Sequence, residues 1–175
     1  MNLDYATNNG TKFSKIIDPG ECMAMTCDWA RVSLTYGQSR KDLLNSAKWH
    51  IGQSAYEKGV SRTDEKIITA MGLRVLDEAH VKVNSGNSVA TMLAALRGTY
   101  VWGIVGPGGG HAMGYRNATV SDKVGKSREA IEFFDPNDGL YICADLTDFK
   151  TSVANEIDTY YSDLLRDLDV FKVAL

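Results

Sequence analysis

The sequence predicts an α+β fold, helices first and antiparallel strands afterwards, on three observations. From Pro19 to Arg97 the apolar residues recur at steps of three and four, the period of a helix face. From Thr99 to Ala144 they gather in short β-branched and aromatic runs separated by turn residues. No internal repeat and no stretch rich in Pro, Gly or Ser divides the 175 residues. One domain, 1–175, is therefore expected, and a chain of this size buries about 70% of its unfolded surface.

The elements follow in order. Cys22, Met25, Trp29, Val32 and Tyr36 step by 3, 4, 3 and 4 along a first helix that Gly37 ends. A second, about Arg40 to Lys58, sets Leu44, Ala47, Ile51 and Ala55 on one face, with Gly59 as its stop. Ser61 caps a shorter helix holding Ile67, Ile68 and Met71. Leu73 to Val83 reads as extended, and a helix over Asn87 to Arg97 turns Val89, Met92, Leu93 and Leu96 inward. This helical half covers about residues 20–98. The sheet half, about 99–146, holds Thr99–Val105, His111–Arg116, Arg128–Phe134 and Leu140–Ala144 as strands. Gly106 to Gly110, Asn117 to Ser127 and Asp135 to Gly139 break them. A closing helix, about 148–168, aligns Phe149, Val153, Ile157, Tyr160, Leu164 and Leu168, and Val170–Val173 returns as an edge strand.

Composition excludes several classes. Nineteen Lys and Arg against 22 Asp and Glu leave no basic footprint, so nucleic acid is not an expected partner. The apolar run Tyr100–Val105 falls far short of the roughly 18 residues of a membrane span. The polar start, Met1 to Lys12, is not a secretory signal peptide. Three cysteines make no disulfide framework. Cys22 and Cys27, five residues apart, would sit roughly 140° apart around a helix, so no metal or other cofactor is expected.

Three prolines lie beside groups able to do acid, base or nucleophilic chemistry. Pro19 sets Cys22 in the first turn of a helix, where unpaired N–H groups and the dipole favour a thiolate and can hold an oxyanion. Glu21 opposes this mildly, while Cys27 in mid-helix and Cys143 in a strand read as packing residues. Pro107 precedes His111, which opens a strand after a glycine-rich lip, Gly106–Gly110. His50 within a helix and His80 in the extended stretch are weaker candidates for a base. Pro136 follows Asp135, which ends the next strand and can reach His111; Asn137 is the other group able to orient an imidazole.

Together these segments resemble a known family. Gly20-Glu21-Cys22-Met23-Ala24-Met25-Thr26-Cys27-Asp28-Trp29 is similar to the Gly-x-Cys-x-(Gly/Ala)-Leu-Ser-x-x-Trp helix of the YopT-type, papain-like cysteine proteases, effectors and toxins of Gram-negative bacteria. Gly110-His111-Ala112-Met113 resembles their Gly-His-Ala strand, and Phe133-Phe134-Asp135-Pro136-Asn137-Asp138-Gly139 their Phe-Phe-Asp-Pro-Asn-x-Gly segment. Met25 and Thr26 stand where leucine and serine are usual. The resemblance implies a papain-like fold, its N-terminal helical half packed on a C-terminal antiparallel β-sheet. It also implies a catalytic Cys22, His111 and Asp135.

The expected activity is a thiol hydrolase that cleaves a peptide bond, with the Cys22 backbone N–H in the oxyanion hole. The second donor is unassigned: Ile16 occupies the position of the usual Gln or Asn, and Asn8, Asn9 and Ser14 are candidates for it. Other enzymatic readings are a peptidoglycan amidase or endopeptidase toxin and an acyltransferase or transglutaminase-like enzyme. A non-enzymatic reading is a binding or immunity-type domain whose triad is coincidental. The expected partners are a protein or peptide substrate and a cognate immunity or chaperone protein. An effector exported without a classical signal peptide is expected, with a cytoplasmic enzyme as the alternative.

Overall fold

The strands expected between residues 99 and 144 are all present in a computed structural model that describes residues 1–8, 19–49, 52, 64–121 and 125–175. They form β3 (Gly98–Gly106), β4 (Gly109–Ser121), β5 (Ser127–Asp135) and β6 (Gly139–Ile142). Three further strands join them: β1 (Asn2–Ala6), β2 (Arg74–Lys82) and β7 (Asp167–Ala174). The result is one seven-stranded sheet in the order β1-β6-β5-β4-β3-β7-β2, antiparallel throughout.

Each inner strand alternates its apolar side chains between two faces, and both are covered. On one face lie α1 (Pro19–Tyr36) and α2 (Asp64–Ala70), packed over Val101, Ala112, Phe134, Phe171 and Val173. On the other lie α3 (Gly86–Ala94) and α4 (Leu146–Tyr160), packed over Trp102, Met113, Tyr115, Phe133 and Val170. The expectation of a helical half stacked on a sheet half is corrected accordingly. Helices sandwich the sheet, and α3 leaves the other early helices to pack against α4. The reason is covalent and local: β2 follows α2 and carries the chain across the sheet edge before α3 begins.

Several element limits also shift. α1 is buried from Cys22 through Ala30, all round rather than along one stripe, and Tyr36 is exposed. The second expected helix is represented by a 3-10 turn at Lys41–Leu43 and helical backbone at 46–49 and 52; Ile51, Ala55, Gly59 and Ser61 lie outside the described residues. α4 ends at Tyr160, where a 3-10 turn (Ser162–Leu164) leads into β7. β7 pairs with β3 on one side and β2 on the other, so it is an interior strand, not an edge. Asn117 continues β4 to Ser121 instead of opening a break. No helix among the described residues is long and apolar enough to cross a membrane.

One contact sets the height of α1 above the sheet. Trp29 stacks on Phe134, centroids 5.5 Å apart and planes 2° from parallel. A Cβ on Gly114 of β4 would stand 2.4 Å from the Trp29 ring. Glycine there lets the helix settle, and the small Ala112 continues the same clearance toward the helix N-terminus. Asp28, fully buried, then ties α1 to the following segment by accepting from Arg31, the Asn45 N–H and the Trp49 indole.

Candidate active site

Cys22 lies in the first turn of α1, in which Pro19 is the first helical residue and lacks an N–H that would go unused there. The β4–β5 ladder runs from Gly114↔Phe134 outward, so β5 gives Ala112 no partner. α1 supplies partners instead: the Ala112 N–H donates to Cys22 Sγ at 3.4 Å, and the Thr26 hydroxyl reaches the Ala112 carbonyl at 3.3 Å. That hydroxyl also donates back to the Cys22 carbonyl at 2.7 Å. The nucleophile candidate is thus fixed to the residue that follows His111.

His111 sits opposite Ile104, near the end of the β3–β4 hairpin, its side chain fully buried. Nε2 lies 2.9 Å from Asp135 Oδ1, and the ring stacks on Tyr161 with centroids 4.7 Å apart. Nδ1 is buried and makes no hydrogen bond of ordinary geometry. With Nε2 committed to Asp135, Nδ1 is the nitrogen left for the Cys22 side chain, which acts on the ring both by charge and by contact. Burial opposes the imidazolium. The Asp135 carboxylate, by charge and hydrogen bond, and then Cys22, outweigh it and raise the ring to about 10.

Asp135, the last residue of β5, is fully buried and accepts three hydrogen bonds from the described residues. His111 Nε2 and the Asn137 N–H (2.9 Å) meet Oδ1, and the Tyr161 hydroxyl donates to Oδ2 at 2.7 Å. Burial works to raise its carboxyl, but the His111 charge and these donors hold it below the usual carboxylate range. Asn137, the alternative orienting group, stands farther from His111 Nε2, at 3.5 Å, and donates to the Tyr161 oxygen at 3.1 Å. Thr7 fastens this turn by donating to the Pro136 carbonyl at 2.9 Å.

Tyr161 is the member of this cluster that the helical stripe misassigned. Extending the stripe through residue 168 turns Tyr160 inward, whereas Tyr160 is exposed and Tyr161 is 2% exposed. The signal was available: Phe149, Val153 and Ile157 are the buried positions of α4, and one more step of four is Tyr161.

The other candidates are apart from this cluster. Cys27 is buried within the α1 core, and burial pushes its thiol far up. Cys143 lies just past β6, not in a strand, and burial raises it to about 12. The three cysteines form no disulfide. His80 is exposed on the edge strand β2, bonded to Asp169 at 2.6 Å. His50, Asn9, Ser14 and Ile16 lie outside the described residues, and Asn8 lines a separate hollow with Thr7, Lys41 and Trp49. Among the described residues no three His, Cys, Asp or Glu side chains group as metal ligands.

A cleft of about 290 Å³ opens beside Cys22 and His111, walled by Met23, Ile104 and Val105. The glycine-rich lip is a tight hairpin end. Pro107 and Gly108 form its turn, and the Gly108 N–H is anchored to the Asp163 carbonyl at 3.0 Å.

No family model and no curated sequence matches the chain. Its structure matches the crystal structure of the Pseudomonas avirulence protein AvrPphB with a TM-score of 0.67 at 12% identity, over 98% of both chains. It also matches PatoxP, a cysteine protease-like domain of the Photorhabdus asymbiotica toxin PaTox, with a TM-score of 0.54 at 12% identity, over 97% of this chain and 54% of that one. At such identity the likeness is one of fold: the chain has the mixed helix and antiparallel-sheet fold of a Pseudomonas avirulence protein and of a cysteine protease-like toxin domain.

Proposed function

We propose that the protein is a papain-like thiol hydrolase of the YopT type, an effector or toxin that cleaves a peptide bond in a protein substrate through Cys22, His111 and Asp135. One observation carries the reading. His111 is held by Asp135 through Nε2 at 2.9 Å, while its buried Nδ1, without a hydrogen-bond partner, is left for a cysteine in the first turn of a helix. That is the nucleophile–base–orienter arrangement of covalent acyl transfer.

In the first half-reaction the Cys22 sulfhydryl proton passes to His111 Nδ1 and the sulfur attacks the scissile carbonyl carbon. The C=O electron pair moves onto oxygen, which the Cys22 backbone N–H at the start of α1 stabilises. As the tetrahedral species collapses, the C–N bond breaks and His111 Nδ1–H protonates the departing amine, leaving a thioester on Cys22. In the second half, His111 takes a proton from water, hydroxide adds to the thioester carbonyl, and the acid departs as the Cys22 thiol re-forms. Asp135 keeps the Nε2–H tautomer throughout and stabilises the imidazolium. Tyr161 and Asn137 hold Asp135 in place.

The test is turnover of casein and of peptide libraries by wild type, Cys22→Ala and Cys22→Ser. Both variants should lose activity by about 10³-fold or more while melting within a few degrees of wild type. Undiminished turnover by Cys22→Ala ends the proposal.

A further inference from the structure

Ala112 has no strand partner on its β5 side, and Pro136 is the reason. The β4–β5 ladder ends at Gly114↔Phe134; carried on by two residues, its register would set Ala112 opposite Pro136. Proline has no N–H to give a ladder and stands where pairing stops. The chain turns there instead. The Asp138 N–H closes on the Asp135 carbonyl at 3.0 Å, and the Pro136 carbonyl takes the Thr7 hydroxyl at 2.9 Å. One proline therefore ends β5 with Asp135 beside His111, and it leaves the buried N–H and C=O of Ala112 to be satisfied from elsewhere.

Both groups turn to α1. The N–H donates to Cys22 Sγ at 3.4 Å, and the C=O accepts from the Thr26 hydroxyl at 3.3 Å. The shorter bond of that hydroxyl, 2.7 Å, goes to the Cys22 carbonyl, the back-bond to residue i−4 that Ser and Thr make within helices. A hydroxyl has one proton, shared here between two carbonyls. Thr26 thus joins the backbone of the residue that bears the sulfur to the backbone of the residue that grips it. It is fully buried among Met23, Ala24, Met25, Cys27 and Trp29, where an apolar side chain would satisfy the packing.

The N–H contact gains strength as the reaction begins. To a neutral thiol it is a weak hydrogen bond. When the Cys22 proton passes to His111 Nδ1, negative charge gathers on the sulfur, and hydrogen bonds to an ionised partner are roughly twice as strong. A donor already in place at the atom where charge develops favours the reacting state over the resting one.

We infer that the Ala112 backbone N–H is a catalytic donor to the Cys22 sulfur as it gains charge, and that Thr26 is the positioning residue that holds donor and sulfur together. This rests on the hydrolase reading above and adds a group that acts on the nucleophile instead of the substrate.

The experiment compares wild type with Thr26→Val, which keeps the side-chain shape and loses the hydroxyl, and Thr26→Ser, which keeps the hydroxyl and loses the methyl. Each is checked for folding by thermal melting. Casein-derived peptide turnover gives kcat and KM. Iodoacetamide gives the alkylation rate of Cys22, whose sulfur displaces iodide, read peptide by peptide so that Cys27 and Cys143 are counted apart. In Thr26→Val, kcat and the Cys22 alkylation rate should each fall about tenfold with KM within about twofold of wild type, the scale of one hydrogen bond. Thr26→Ser should stay near wild type in all three. Equal rates in Thr26→Val and wild type overturn the positioning role, and so do equal losses in Thr26→Val and Thr26→Ser, which would make Thr26 a packing residue. A second measurement needs no Thr26 variant. In protein carrying isotopically labelled alanine, the Ala112 amide proton should resonate upfield in Cys22→Ala of its position in wild type, since its acceptor is gone; an unmoved resonance overturns the donor. Wild type without turnover, but with the alkylation pattern and the Ala112 shift as expected, overturns the hydrolase reading and keeps the contact.

Discussion

The two faces of the sheet each carry a buried apolar cluster but contribute differently to the candidate site. The α3–α4 face is packed with large rings: Trp102, Tyr115, Phe133 and Phe149 are fully buried, and Tyr115 lies 4.5 Å from Phe149 between centroids. By strand alternation His111 and Asp135 point to this same face, where Tyr161 stacks on the imidazole. The α1–α2 face is built over small residues, Gly103, Ala112 and Gly114, and buries polar groups, Thr26 and Asp28 among them. It carries Cys22 and the cleft beside it. His111 and Asp135 therefore inherit the stiffness of an aromatic core, whereas the position of Cys22 depends on how closely one helix approaches one strand. The site forms where β5 stops pairing with β4 and the two faces meet.

This division is broken most severely by Phe149→Ala. Removing a fully buried ring from α4 should cost about 3–5 kcal/mol, read as a lower urea midpoint at an unchanged slope. Phe149 stands twelve residues before Tyr161, about 18 Å along a helix, so activity per folded molecule should match wild type. A proportional loss of kcat would show that the aromatic face does not insulate the base from its own packing.

Gly114→Ala probes the other face at a smaller cost. The new methyl would lie 2.4 Å from the Trp29 ring, so the helix or the strand must shift. Overpacking of this kind costs about 1–3 kcal/mol. Unlike Phe149→Ala, it should also lower kcat in the folded protein, because lifting α1 lengthens the 3.4 Å contact of Cys22 Sγ with the Ala112 N–H. Retained kcat with reduced stability would mean that the nucleophile does not depend on the height of α1.

How much of this was legible in the sequence follows the same division. Cys22, His111 and Asp135 are marked by signals that act within a few residues: a proline and glycine at a helix start, a glycine-rich turn, and an Asp-Pro-Asn turn. Whether they meet depends on pairing between distant segments, and that was legible only through the resemblance of three motifs. The strands of the second half were readable from their β-branched and aromatic runs. β1, with only Leu3 and Tyr5 as large apolar residues, and β2, largely exposed along an edge, carry weak patterns. The interior position of β7 is a matter of long-range pairing that no local period encodes. The cleft beside Cys22 likewise joins residues 64 and 169, 105 positions apart, across a register invisible to spacing.

The smallest expected effect concerns the residue that joins the rigid face to the chemistry. Tyr161→Phe keeps the ring over His111 and removes one donor from Asp135, leaving Oδ2 without its 2.7 Å partner. The expected loss is about tenfold in kcat, with a stability cost of about 1–3 kcal/mol for a buried acceptor left unsatisfied. The pH dependence separates this from a packing defect. Asp135 is depressed in the folded state, so its contribution to stability is present above the unfolded value of 3.8 and is lost as pH falls through the folded one. His111 is raised, so its contribution is full below 6.5 and is lost as pH climbs through about 10. Deleting the Tyr161 hydroxyl removes one of the influences that depress Asp135, so acid unfolding should begin at a higher pH than in wild type. Melting curves recorded from pH 2 to 7 would read this directly. A uniform drop at every pH, with the acid midpoint unmoved, would make Tyr161 a packing residue and leave Asn137 and His111 as the groups that hold the carboxylate ionised.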